Sequence, residues 1–376
     1  MKFTLLVALI VFVGCGVASP DSQSISVVTA VPTTQIATDE PTAISVRINE
    51  QEACDIEADT VDLTDYTPTS NQWVVSNGSQ LLIDESPFTI NGINYYPRMS
   101  PFDLFLTDTE ADVMGKELDV IVPTGINTLR IFINLNQLFL CDSNAIPNTA
   151  TFTILDSIIQ TIGNKNLHAI VVLHQTIDDP EQTSWQQLQF LVARYRNEPT
   201  ILAWDILENG DKLYDELTSE VVLTWLASAI QASRQMDNQH LITASWQSHT
   251  HDTIEWVDIV SFQHFEDYQS LRQNIANLKS LTDKPILLSA IGFSTFDLDE
   301  TAQRNLLFQA MEEARNNDLA GWGIYMAFDY PTSVTCEAPN CPADATSINY
   351  YGIWNTSYFP KLAVDAVKRV TGVTEE

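Results

Sequence analysis

The chain has 376 residues, 45% of them hydrophobic and 9% aromatic, which is enough to bury a sizeable core in one large domain or in two. Its 49 acidic residues against 18 basic ones give a formal charge of −31, which repels phosphate backbones and anionic lipid headgroups and argues against nucleic acid as a partner. Acidity on this scale reads as a solvated surface, not as an ion-binding device.

The first predicted element is an address. Lys2 precedes the apolar run Phe3 to Val13 and small residues around Cys15, the layout of a secretory signal peptide over residues 1–19. That run is too short for a permanent membrane span. Val13-Gly14-Cys15-Gly16 resembles a bacterial lipoprotein cleavage box, which implies a lipid on Cys15, a membrane anchor and an extracytoplasmic location. Phe12 departs from the leucine usual in that box, so ordinary cleavage near Ser19, giving a secreted protein, stays open, although Pro20 is a poor residue after such a cut. Residues 20–70 hold ten acids against the single Arg47 and show no sustained periodicity, the signature of a disordered tether.

The domain, residues 71–373, opens with "WVVSNGSQLLI", where Asn77-Gly78 between two apolar runs predicts a two-residue β-hairpin. Eight apolar runs follow as candidate strands: Phe88 to Ile93, Thr128 to Ile133, His168 to Leu173, Ile201 to Leu207, Leu241 to Ser245, Ile259 to Phe262, Ile286 to Ser289 and Gly321 to Met326. Most are separated by amphipathic stretches such as "TILDSIIQTIGNKN" and "VVLTWLASAIQASRQM", with apolar residues three and four apart. Between the fifth and sixth runs there is no room for a full helix. This alternation predicts an α/β fold, a closed (β/α)8 TIM barrel behind a short N-terminal hairpin, with its site at the C-terminal ends of the strands. A doubly wound open sheet also fits the alternation, but its glycine-rich phosphate turn is missing.

Read at those strand ends, the sequence offers Asn94-Tyr95-Tyr96-Pro97-Arg98, then Arg130, His174, Glu208-Asn209, Trp246, Gln263-His264-Phe265, Ser289-Ala290, and Tyr325 with Asp329. Rings for pyranose faces, together with amides and histidines for hydroxyls, suit a saccharide. Arg130, inside an apolar strand, reads as structural more readily than as a ligand contact, and Trp246 has ordinary packing as its alternative. His249 and His251 have the spacing of a metal half-site, but no third ligand accompanies them, and the expectation is no metal and no cofactor. With Cys15 lipidated, Cys54, Cys141, Cys336 and Cys341 remain, an even set compatible with disulfides, of which Cys336 and Cys341 are the nearest pair.

"FTINGINYYPR", "GINTLRIFI", "NEPTILAWDI", "HLITASW", "DKPILL" and "YYGIWNTSYFPKLAVDAV", in that order, resemble the clan A glycoside hydrolases of the endoglucanase and mannanase type over roughly Trp73 to Val370. The resemblance implies a (β/α)8 barrel and places the general acid/base after an Asn at the end of the fourth strand and the nucleophile at the end of the seventh. Here Glu208 stands at the Asn position, Asn209 at the acid/base position and Ala290 at the nucleophile position. The family's His-x-Tyr on the sixth strand reads Gln263-His264-Phe265, and its eighth-strand tryptophan reads Tyr325.

Retaining hydrolysis needs two carboxyl groups about 5–5.5 Å apart, and neither an amide nor a methyl group supplies one. The leading expectation is therefore a barrel that has lost catalysis and binds saccharide at residues drawn from Arg130, His174, Glu208, Asn209, Trp246, His264 and Tyr325. The alternatives are an active glycosidase with relocated carboxylates, Glu208 first with Asp329, Glu266 or Asp267 as its second, and a structural or protein-binding lipoprotein. Glu208 also has a purely structural reading, as a partner of Arg130 at the barrel rim.

Overall fold

The structure, a computed structural model, describes residues 63–69, 72–141, 144–180, 185–334 and 345–373. The signal peptide with Cys15, residues 20–62 of the tether, and Cys54, Cys336 and Cys341 lie outside the described residues. Cys141 is buried.

Asn77-Gly78 turns the chain as its dipeptide predicts. β1 (Val74–Asn77) and β2 (Gln80–Ile83) pair antiparallel with Asn77 opposite Gln80, and Gly78 takes the positive φ of 58° that the turn requires. A third strand, β3 (Ser86–Phe88), extends the hairpin to a three-stranded sheet. It is three residues long and contains Pro87, too little for a period-2 pattern to register.

The eight apolar runs become β4 (Ile90–Asn94), β5 (Thr128–Phe132), β6 (His168–Val172), β7 (Ile201–Asp205), β8 (Leu241–Trp246), β9 (Ile259–His264), β10 (Ile286–Ile291) and β11 (Gly321–Ile324). They close in chain order into a parallel barrel, with β11 pairing back onto β4. Helices α1 (Phe105–Asp108) and α2 (Ala111–Ile121) follow β4, α3 (Thr149–Asn164) follows β5, α4 (Gln186–Tyr195) follows β6 and α5 (Ser219–Met236) follows β7. After β8 there is only a 3-10 turn, Thr250–Thr253; α6 (Tyr268–Leu281), α7 (Glu300–Asn316) and α8 (Ala363–Thr371) follow the last three strands. Thr218, Asp267 and Asp299 cap α5, α6 and α7 by accepting backbone N–H groups of the first turn.

The strands are largely apolar because both of their faces are buried. Leu129 and Ile131 of β5 and Ala169 and Val171 of β6 face the helices. Ile170, Leu202 and Leu287 face the lumen, where Val74 and Leu81 of the small sheet join them and close the N-terminal end of the barrel as a floor. At the same end Leu63 and Tyr66 pack on the body, and the buried Glu198, just ahead of β7, gathers their segment in. Its Oε2 accepts from Tyr66 Oη at 2.8 Å and from the Thr69 backbone N–H at 2.7 Å, while Oε1 accepts from the Thr200 N–H at 2.8 Å. The packed body thus reaches back to Leu63, ahead of the expected start at residue 71, because a tertiary carboxylate supplies partners that the local composition does not reveal.

Candidate functional site

Above the apolar floor, the lumen turns polar. Arg130 of β5 and Asp205 of β7 both point inward, alternating with helix-facing neighbours, and both are fully buried. Arg130 donates from Nε and Nη2 to Asp205 Oδ2 at 3.0 and 2.8 Å, and Ser245 Oγ donates to the same oxygen at 2.6 Å. The remaining guanidinium nitrogen, Nη1, reaches Glu208 Oε1 at 3.1 Å, and the ring of Phe132 lies 4.6 Å from the guanidinium carbon. The pairing with two carboxylates holds Arg130 charged against the desolvation that would lower its pKa.

The chain leaves β7 through a tightly specified turn. The Glu208 N–H donates to the His174 carbonyl and the Asn209 N–H to the Ser245 carbonyl, each at 2.9 Å. Asn209 sits in the left-handed region, φ 51°, which asparagine tolerates better than most residues. A Cβ on Gly210 would lie 2.6 Å from Leu207 Cδ2 and 2.7 Å from Trp246 Cζ2, so only glycine passes there. The Glu208 carboxylate, buried at 6% exposure, is held from three sides: Arg130 and Gln263 Nε2 at Oε1, both at 3.1 Å, and Gln175 Nε2 at Oε2, 2.8 Å.

Over this network opens a cavity of about 770 Å³. Tyr96 stacks on Phe132 (5.4 Å, 23°) along one wall, and Phe265 meets Tyr325 edge to face across 5.0 Å on another. Several buried polar atoms that line it have no partner within the protein: both amide atoms of Asn94, Nε2 of His174 and Oδ1 of Asn209. Buried polar atoms are nearly always hydrogen-bonded, so a set of them facing one cavity leaves groups that water or a ligand would satisfy. Burial pulls the His174 pKa down to about 4, so its ring is neutral at pH 7. Burial and then the Glu208 charge push Tyr325 up to about 12, which keeps its phenol a donor.

Residues 116–255 match the family model described as Cellulase (glycosyl hydrolase family 5). Solved structures share the fold at low identity. A GH2 beta-galacturonidase from Eisenbergiella tayi bound to galacturonate is similar with TM-score 0.60 and 16% identity over 81% of this chain and 54% of that one, so the chain spans about half its length. A GH5_18 variant from Streptomyces cattleya in complex with Manb1-4GlcNAc gives TM-score 0.60 and 13% identity, covering 76% of this chain and 80% of that one. A mutant Glycoside Hydrolase Family 5 mannosidase from Rhizomucor miehei gives 0.57 and 13%, covering 80% and 97%.

The middle of this barrel is similar to glycoside hydrolase family 5. No curated protein matches the chain.

In this barrel His174, Glu208, Asn209 and Tyr325 line the cavity together. Arg130 lies beneath it and meets it through two lining residues, Glu208 by a hydrogen bond and Phe132 by its ring. Trp246 and His264 end their strands as the sequence suggests but turn into packing. Trp246 Nε1 donates to the Leu207 carbonyl at 3.0 Å behind Gly210, and His264 Nε2 sits 2.9 Å from the Asp267 carbonyl. Neither lines the cavity. Ala290 is fully buried just past a register shift in β10 and does not line it either.

None of the other carboxylates weighed from the sequence lines the cavity with Glu208. Asp329 is buried against Lys361 Nζ at 2.7 Å, Glu266 is exposed, and Asp267 caps α6. His249 and His251 stay on the loop after β8, about half exposed, with His251 Nε2 3.3 Å from Asp252. Among the lining residues that escaped the strand-end reading are Gln175, Phe132 and Trp225. Gln175 and Phe132 sit at strand ends and could have been found there. Trp225 is on α5, where an aromatic at helical spacing reads as core.

Proposed function

We propose that this family 5-type barrel binds a saccharide at its mouth and does not cleave it by the two-carboxylate route. One observation bears the reading: the buried carboxylate at the base of the cavity, Glu208, is held by Arg130, Gln175 and Gln263, while an amide and a methyl group occupy the acid/base and nucleophile positions. An amide has no proton to give at neutral pH, and loss of general acid/base help alone costs roughly 10²–10⁴ in rate. Stacked rings beside unpartnered amide and imidazole atoms are what pyranose faces and hydroxyls require. Two of the structural neighbours hold sugars, galacturonate and Manb1-4GlcNAc, which supports the ligand class.

The test is reducing-end release and calorimetric binding over a panel of mannans, glucans, xylans and galactans, with Glu208→Ala alongside. Binding without turnover is the expected result. Turnover that disappears in Glu208→Ala would replace this reading with the second one, an active glycosidase in which Glu208, which does face the cavity, is a relocated catalytic acid.

We also propose that the chain is exported and anchored by a lipid on Cys15, from the apolar run and the Gly14-Cys15-Gly16 box that follows it. Labelling with a fatty-acid probe should mark the wild-type chain and not Cys15→Ser. Equal labelling of the two would remove the anchor from the account.

A further inference from the structure

The charged groups around the cavity are lopsided. Asp103, from the loop after β4, and Asp178 and Asp179, from the loop after β6, line it as exposed carboxylates, with Glu208 at the base. Those loops flank the single strand β5, so the acids share one side of the mouth. Lys212 is the cation among the lining residues. The guanidinium of Arg130 below is already shared between Asp205 and Glu208. His174, neutral at pH 7, adds no positive charge.

An acidic rim alone would be an ordinary solvated surface. What separates it from one is Asn94, only 4% exposed, whose amide oxygen and nitrogen both line the same cavity without a partner in the protein. Asn209 Oδ1 is a second buried acceptor left open beside Glu208. The base offers two open acceptors, Asn94 Oδ1 and Asn209 Oδ1, beside one open donor, Asn94 Nδ2, and the carboxylates of the rim add a preference for a hydroxyl-bearing ligand of positive charge. They disfavour one that brings its own carboxylate, because like charges brought together in a walled cleft repel and each would lose solvation.

Resting on the saccharide reading above, we infer that the mouth selects glycans carrying protonated amines, of the glucosamine-oligomer class, over their N-acetylated forms and against uronic acids. Amino groups lie along Asp103 and Asp178, a pyranose face lies on the Tyr96–Phe132 wall, and hydroxyls or a further amine reach Asn94 and Asn209. The preference is electrostatic at an exposed rim, so salt weakens it, with a screening length of about 10 Å at 0.1 M and ~3 Å at 1 M.

The experiment uses the full chain and three probes of equal length: a fully deacetylated glucosamine hexamer, its N-acetylated counterpart and a hexagalacturonate, each titrated by calorimetry at low and high salt. The glucosamine hexamer should bind on the order of tenfold more tightly than the N-acetylated one at low salt, a gap that closes in 1 M salt. Asp103→Asn with Asp178→Asn, both at exposed positions where folding is undisturbed, should close the same gap at low salt. Hexagalacturonate should be the weakest of the three. Equal binding of the two hexamers, a preference indifferent to salt and to the double variant, or tighter binding of the uronate would overturn the charge selection while leaving saccharide binding intact. If none of the three binds but neutral glucans or mannans do, the amine class is wrong. If no saccharide binds at all, the reading beneath it falls as well.

Discussion

Arg130 is the residue on which the base of the cavity depends. Its three donor nitrogens are divided between Asp205 and Glu208, and all three side chains are buried. Arg130→Ala would leave two uncompensated buried carboxylates, and a loss of about 3–5 kcal/mol in a urea melt is expected. Glu208→Gln keeps the Arg130–Asp205 pair and should cost less, about 1–3 kcal/mol. His174 makes a prediction in pH. Its pKa falls from 6.5 toward about 4 on folding, so the unfolded chain takes up a proton in that window that the folded one does not. The stability tied to its neutral ring is complete above pH 6.5 and declines as the pH falls toward 4. In an NMR titration the His174 ring protons should hold still from pH 8 to about 5 and move only below that. A midpoint near 6.5 would mean that the ring is far better solvated than its surroundings indicate.

The turn after β7 and the helix α2 give opposite expectations for the same substitution. Gly210→Ala drives a methyl into Leu207 and Trp246, and overpacking of this kind costs about 1–3 kcal/mol. Gly115, inside α2, has nothing within 4 Å of an added Cβ, and Gly115→Ala should stabilise by ~0.5–1 kcal/mol through helix propensity. Paired thermal melts decide both, and a neutral Gly210→Ala would show that the turn has slack. The barrel strands were legible in the sequence because strands buried on both faces are short, mainly apolar runs, and Asn77-Gly78 announced its turn. β3 was not legible, being too short to show a period. At the site, Glu208 and Asn209 could be placed because a turn out of an apolar run shows where the mouth is. The directions of Trp246 and His264 could not, since which side of a strand end a ring takes depends on bulges and on neighbours distant in sequence. Glu198 holding Tyr66 and Thr69 is hidden for the same reason: the partners are about 130 residues apart.

Across the whole molecule, a formal charge of −31 works against compactness. Carboxylates far apart on the surface repel over distances that salt shortens, so the melting temperature should rise between 0.01 and about 0.5 M sodium chloride. A falling or flat profile would mean that the acids are locally compensated. Asp329 has its pKa raised to about 6 by burial, despite Lys361, and so binds its proton more readily when folded. Its contribution to stability therefore declines as pH rises through that value, and Asp329→Asn should flatten this part of the stability profile between about pH 4 and 6. The two ends of the barrel are not alike. One is plugged by Val74 and Leu81 and receives the chain at Leu63 through Glu198, and the other is open. The handle of this molecule is therefore on its closed end. A surface coupled directly at Leu63 would hold the cup by its base and leave the rim with Asp103 and Asp178 facing whatever flows past.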